Sequence, residues 1–155
     1  MEETLILIKP DAIQRALAGK IISRFEEKGL IISGLKMMQL DESILKEHYA
    51  HIADKPFFPG LADFMKSSPV IACCIKGIDA VETVRKMAGV TNSRNAEQGT
   101  LRGDFAMSIQ MNVIHASDSK ENAKLEISRF FDPSEIHSYN LNNIGIQYTK
   151  GELGV

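Results

Sequence analysis

The chain has 155 residues, 44% of them hydrophobic and 25% charged, with a formal net charge of −2 at pH 7. That composition is globular and long enough to bury a core, and its near-neutral balance argues against broad nucleic-acid or membrane-surface partners while leaving room for a local basic pocket. The two cysteines, Cys73 and Cys74, are adjacent in an apolar run; strand neighbours point to opposite faces, so they read as unpaired thiols of a reducing compartment.

Without a repeat, a linker or a targeting pattern, the expectation is a single domain over 1–155 in a soluble cytoplasmic protein. Thr4 to Ile8 is a continuous apolar run closed by Lys9-Pro10, the pattern of a buried central strand. Ile13, Leu17, Ile21 and Phe25 recur at every fourth position, predicting a helix from Asp11 to Lys28 that breaks near Gly19 and stops at Gly29. Leu30 to Leu40 reads as a strand, and Asp41 as the N-cap of a helix reaching about Tyr49. Pro56 to Gly60 predicts a turn, followed by a short helix over Leu61 to Lys66; of the adjacent rings Phe57 and Phe58, one is expected in the core, with Phe58 favoured, and the other as an exposed stacking platform. Pro69 to Ile75 is a further buried strand, and Ile78 to Met87 a helix ended by Gly89. Val90 to Gly103 is a long polar loop, the kind of segment that carries function or mobility. Met107, Ile109, Met111 and Val113 then alternate with polar residues, which on period alone predicts a strand. Ser119 to Phe131 is amphipathic and helical, and 132–155 reads as an irregular tail.

The chemistry concentrates where that last helix begins. His115 ends an apolar stretch and is followed by Ser117, Asp118 and Ser119, with Asp118 and Glu121 at capping-box spacing. An imidazole is thereby set beside a helix N-terminus, which favours anions such as phosphate. Glu126 lies two turns beyond Ser119, where a carboxylate could fix the imidazole tautomer and raise its nucleophilicity. On this segment alone, a half-buried strand-end histidine with a solvated glutamate stays open as the plainer reading. His48, His51 and His137 sit in polar surroundings, and nothing completes a metal site around the His48/His51 pair. Lys9 closes the first strand, Arg85 falls late in a helix, and Thr91, Arg94 and Arg102 populate or flank the polar loop. Arginine forks match phosphate oxygens and lysine acts as a point charge, although each of these residues taken alone reads more readily as a solvated surface charge.

Taken in order, Ile8-Lys9-Pro10-Asp11, Arg24-Phe25-Glu26, Lys55-Pro56-Phe57-Phe58, Gly99-Thr100-Leu101-Arg102-Gly103-Asp104 and the run from Asn112 to Ser119, with Glu126 after it, resemble the nucleoside diphosphate kinases. The resemblance covers Thr4 to about Tyr139. It implies a ferredoxin-like α/β (α+β) sandwich, a four-stranded antiparallel sheet covered by helices. In it, 104 to about 109 is helical and only about 112–115 is strand, against the alternation counted above. It implies that His115 takes the terminal phosphoryl group of a nucleoside triphosphate and passes it to a diphosphate, a ping-pong reaction through a phosphohistidine. Glu126 would orient the imidazole with Ser117 beside it, and Lys9 would touch the moving phosphoryl group and the sugar. Tyr49, Arg85, Thr91 and Arg102 are implied around the phosphates, and Asn112 at the ribose. Phe57 with Leu61 is implied at the base, with broad base tolerance. Mg²⁺ would be held through the nucleotide phosphates rather than by protein ligands. The implied assembly is a homo-oligomer; Pro133-Ser134-Glu135 in the tail favours the hexamer, with a tetramer as the alternative. The chain departs from the family pattern at Asn92-Ser93, where Asn-Pro is usual, at 94–98, at Ala116 in place of a common Gly, and over 144–155.

Overall fold

The apolar run near the N-terminus becomes β1 (Glu2–Ile8), which is buried because it pairs on both sides in the computed structural model, whose described residues are 1–154. It lies antiparallel to β3 (Val70–Gly77) on one side and to β4 (Ile114–Ala116) on the other. With β2 (Ile31–Met38) added outside β3, the sheet order is β2-β3-β1-β4, antiparallel throughout. The helices are α1 (Pro10–Gln14), α2 (Ala18–Glu27), α3 (Glu42–His48), α4 (Phe58–Lys66), α5 (Ala80–Ala88), α6 (Leu101–Phe105) and α7 (Lys120–Phe130), with short α8 (Ile144–Gln147) and α9 (Lys150–Leu153) in the tail.

Alternation along the strands gives the sheet two apolar faces, each closed by helices. Ile6, Ile8, Cys73, Ile75 and Ile114 pack with Phe25 of α2, Val84 of α5 and Leu101 of α6. Leu5, Leu7 and Cys74 pack on the other side with Leu45 of α3, Met65 of α4 and Phe130 of α7. The adjacent cysteines thus serve opposite cores as free, buried thiols. Leu7 pairs directly with His115, so His115 faces α3 and α7 while its neighbours Ile114 and Ala116 face away.

Several boundaries differ from the expectations, for local reasons. The first helix breaks at Ala16, whose φ of 55° is left-handed, and Gly19 continues inside α2. Helix α4 begins at Phe58 rather than Leu61, because Pro59 falls in its first turn, where a missing N–H leaves no bond unmade. The alternating segment before His115 forms no strand. Beyond its pairing with Ile114, β1 ends at Ile8, so earlier residues find no partner, and Met107, Ile109 and Met111 stay exposed. The helix implied for 104–109 lies earlier, as α6 over 101–105, because the Thr100 hydroxyl accepts from Gly103 N–H and starts it there. Gly103 is needed: a Cβ there would stand 2.0 Å from the Glu97 carbonyl oxygen. The polar loop is tied down rather than free. Arg24 meets Asp104 at 3.0 Å, Arg94 Nη1 donates to Met107 O at 3.2 Å, and Asn92 caps a 3-10 turn over Ser93–Asn95. The tail, expected to be irregular, carries a 3-10 turn at Pro133–Glu135 as well as α8 and α9; its last residue, Val155, lies outside the described residues.

Candidate functional site

A cleft of about 1110 Å³ opens where the ends of β1 and β4 meet α3, α4, α5 and α7. Lys9, Tyr49, Phe57, Leu61, Arg85 and Thr91 line it, and so do Arg102, Asn112, His115 and Glu126. Ser117 is the exception among the candidates: it is fully buried behind the wall and reaches the site through Glu126.

The centre is a partly buried relay. His115 Nε2 stands 3.1 Å from Glu126 Oε2, and the Ser117 hydroxyl donates to the same oxygen at 2.5 Å. Ser117 is in turn fixed by Leu5 N–H, which donates to its Oγ at 3.3 Å. Burial works against ionisation of Glu126, but the His115 hydrogen bond and charge, Ser117 and His48 outweigh it and hold the carboxyl below its usual range. An ionised Glu126 accepts only, which assigns the proton to His115 Nε2 and leaves the Nδ1 lone pair free. Ala116, where the family commonly has Gly, keeps a negative φ and so fits without strain.

His48 is a residue that sequence reasoning misplaced. It is buried in the site rather than set apart from it: its side chain is 1% exposed, and its ring meets the His115 ring edge-on at 4.6 Å. Arg129 Nη1 lies 3.3 Å from His48 Nδ1 while its Nε donates to Glu47 at 2.9 Å. Burial, then the nearby His115 charge, pushes the His48 pKa down to about 3, so it is a neutral ring. The signal was available in Leu45: three residues earlier on α3 and fully buried, it puts His48 on the apolar stripe. His51, its supposed metal partner, is exposed. Among the described residues, the group of three possible metal donors is His48, His115 and Glu126, and there Glu126 is already committed to His115 and Ser117.

The cationic wall is built from long-range contacts. Lys9 Nζ donates to Asn112 Oδ1 at 2.7 Å and to Gln110 O at 3.0 Å. Burial, then the charge of Arg102, lowers the Lys9 pKa to about 8, so the ammonium persists at neutral pH. Arg102 donates from Nη1 to Gly89 O and from Nη2 to Ile114 O, both at 2.7 Å, leaving one N–H on each nitrogen for a ligand. Asn112 is committed on both sides: its amide donates to Thr91 O and Ile109 O at 2.9 Å while its oxygen holds Lys9. In this arrangement it positions Lys9 before it can meet any sugar. Arg85 and Thr91 are exposed at the rim. Phe57 is 57% exposed whereas Phe58 is 4% exposed, the division expected of a platform beside a core ring. Tyr49 packs edge-on to His48 at 4.7 Å, and burial raises its phenol pKa.

A nucleophilic nitrogen with a fixed tautomer, facing lysine and arginine charges and an exposed aromatic face, can attack and receive a phosphoryl group.

A model of the family described as nucleoside diphosphate kinase matches residues 2–136. A nucleoside diphosphate kinase of Parabacteroides distasonis is 51% identical over 153 residues, covering 99% of this chain and 100% of that protein. A solved halophilic nucleoside diphosphate kinase of Halobacterium salinarum in complex with CDP superposes with a TM-score of 0.92 at 41% identity, covering 95% of this chain and 98% of that one. A nucleoside-diphosphate kinase of Borrelia burgdorferi, described as a transition state mimic with bound vanadate and ADP, superposes with a TM-score of 0.88 at 35% identity over 94% of this chain and 95% of its own.

Proposed function

Because the chain belongs to the nucleoside diphosphate kinase family and is thus a phosphoryl-transfer enzyme, we propose that it moves the terminal phosphoryl group of a nucleoside triphosphate onto a nucleoside diphosphate through His115. The observation that carries this is the 3.1 Å contact of His115 Nε2 with Glu126, which leaves Nδ1 as the free nitrogen in a cationic cleft. In the first half-reaction an Nδ1–P bond forms as the bond from the γ-phosphorus to the β,γ-bridging oxygen breaks, and the diphosphate leaves. In the second, a terminal oxygen of another diphosphate attacks the same phosphorus and the N–P bond breaks, a ping-pong cycle. Glu126 and Ser117 stabilise the imidazole as its charge changes. Lys9, Arg85 and Arg102 neutralise the phosphate oxygens, with Tyr49 and Thr91 alongside; Asn112 holds Lys9, and the remaining lone pair of its Oδ1 is what it can offer a ribose hydroxyl.

Mg²⁺ enters with the nucleotide, as part of the substrate. The cations of the wall and the commitment of Glu126 suit a metal held by phosphates. Phe57, which lines the cleft with Leu61, offers a stacking face and no base-edge donor, which supports tolerance of all bases. β2 is an edge strand with Leu35 54% and Met37 60% exposed, which supports a homo-oligomer; the hexamer remains the favoured state, tested by sedimentation. Free buried thiols support a cytoplasmic setting, and no helix among the described residues is long and apolar enough to cross a membrane. We read the chain as one domain. The test is incubation with γ-labelled ATP and Mg²⁺. An acid-labile phosphoenzyme that GDP, UDP and CDP discharge, and that His115→Ala abolishes, is expected; its absence in the unmodified protein overturns the reading.

A further inference from the structure

The segment that delivers Asn112, Ile114 and His115 to the cleft turns on one strained residue. Ile114 N–H donates to Asn112 O at 2.8 Å, closing a three-residue turn centred on Val113, whose φ is 63° and whose side chain is fully buried. A β-branched residue in left-handed backbone is rare, and a three-residue turn of that sign is strained. Such a conformation persists only where its surroundings impose it. Two contacts do so. Val113 N–H donates to Asp11 Oδ2 at 3.1 Å, and Val113 O accepts from Lys9 N–H at 2.9 Å. Asp11 itself is 6% exposed and its second oxygen has no partner, an expensive place for a carboxylate; besides its attraction for the Lys9 ammonium, it serves the Val113 amide. On the far side of the turn, the three residues each meet the machinery: Asn112 holds Lys9 Nζ, the Ile114 carbonyl holds Arg102, and His115 meets Glu126.

We propose that Asp11 is a positioning residue: its carboxylate holds Val113 in the strained turn and thereby sets Asn112, Ile114 and His115 against Lys9, Arg102 and Glu126. This rests on the reading of the cleft as a phosphoryl-transfer site. The role needs an acceptor oxygen at residue 11, not a charge.

The experiment compares Asp11→Asn, Asp11→Ala and the double variant Asp11→Ala/Val113→Gly by kcat/KM at pH 7, with amide hydrogen exchange at residues 113 and 114. Asp11→Asn keeps an acceptor and is expected within threefold of the unmodified enzyme, with both amides protected. Asp11→Ala is expected to lose at least tenfold and to lose that protection. Glycine takes positive φ without strain, so Val113→Gly is expected to return at least a third of the lost activity. An active Asp11→Ala within threefold, no recovery in the double variant, or an Asp11→Asn that loses tenfold or exchanges freely each overturns the proposal. Should Asp11→Ala fail to fold, the activity and exchange of Asp11→Asn decide alone. An unmodified protein that forms no phosphoenzyme refutes the functional reading instead, and the exchange comparison still tests the turn.

Discussion

Replacing Glu126 by Gln removes one charge from the relay and almost no volume. Two full charges 3.1 Å apart, the His115–Glu126 separation, attract by about 5 kcal/mol at an effective dielectric of about 20. The two side chains are 21% and 13% exposed, and the imidazole gains only part of a charge as the phosphoryl group arrives, so about half of that applies. A second route gives a similar figure: charge-assisted hydrogen bonds contribute about 1.5–3 kcal/mol and neutral ones about 1. The loss expected is therefore about 2 kcal/mol, roughly thirtyfold in the rate of phosphoenzyme formation. The amide can also present its NH₂ group to the ring, which favours the tautomer with the proton on Nδ1 and deepens the loss. The chain has no tryptophan to report binding, so the assay is rapid quench with labelled ATP in a single turnover, with nucleotide affinity measured separately. A variant that phosphorylates within twofold of the unmodified protein refutes the assignment of Glu126 to the imidazole.

Three further outcomes follow from the same geometry. The Lys9 ammonium is favoured only below about pH 8, so kcat/KM is expected to fall about tenfold per unit above that pH; a profile flat to pH 10 contradicts a charged Lys9 at the phosphates. His48 has a folded-state pKa of about 3 against an ordinary value of 6.5, so the unfolded chain takes up a proton that the folded one refuses, and stability falls as the pH drops below 6.5. By pH 5 this costs about 2 kcal/mol, and urea unfolding of His48→Phe is expected to lose that much less than the unmodified protein between pH 7 and pH 5; equal losses contradict it. Phe57→Ala, at a site 57% exposed, is expected to leave the melting temperature within a degree or two, while raising KM about tenfold for all four bases alike, as loss of one stacking face requires; a change confined to one base contradicts the stacking role.

The parts of the fold legible in the sequence were those fixed by neighbours in the chain. The Asp41 side chain accepts from Ile44 N–H and Ser119 from Asn122 N–H, so both helix starts were readable from a few residues. The opposite faces of Cys73 and Cys74 followed from strand period, and Phe58, the ring favoured for the core, is the buried one of its pair. What the pattern misjudged depends on partners far along the chain. The alternation before His115 lacked a partner strand, since β1 is already at its end opposite Ile114. The helix break at Ala16 is the local exception: Ala16 N–H donates to Ile13 O and Leu17 N–H to Ala12 O, a left-handed helix end that usually carries glycine. That Asn112 and Arg102 spend hydrogen bonds on Lys9, Gly89 and Ile114 could not be read from spacing, since the Lys9 contact spans 103 positions. The left-handed backbone at Val113 likewise has no local signature; its hydrogen-bond partners Asp11 and Lys9 lie at the other end of the chain, Asp11 102 positions away.

The most direct test of the central claim is to identify the atom that carries the phosphoryl group. Protein labelled with ¹⁵N at histidine, phosphorylated with ATP and Mg²⁺, can be examined by ¹⁵N–³¹P coupling in alkaline solution. The relay of Ser117, Glu126 and His115 Nε2 predicts phosphorus bonded to Nδ1 of His115 alone, with the coupling lost on adding any nucleoside diphosphate. Phosphorus on Nε2, on another residue, or on no histidine while transfer between free nucleotides proceeds would contradict it.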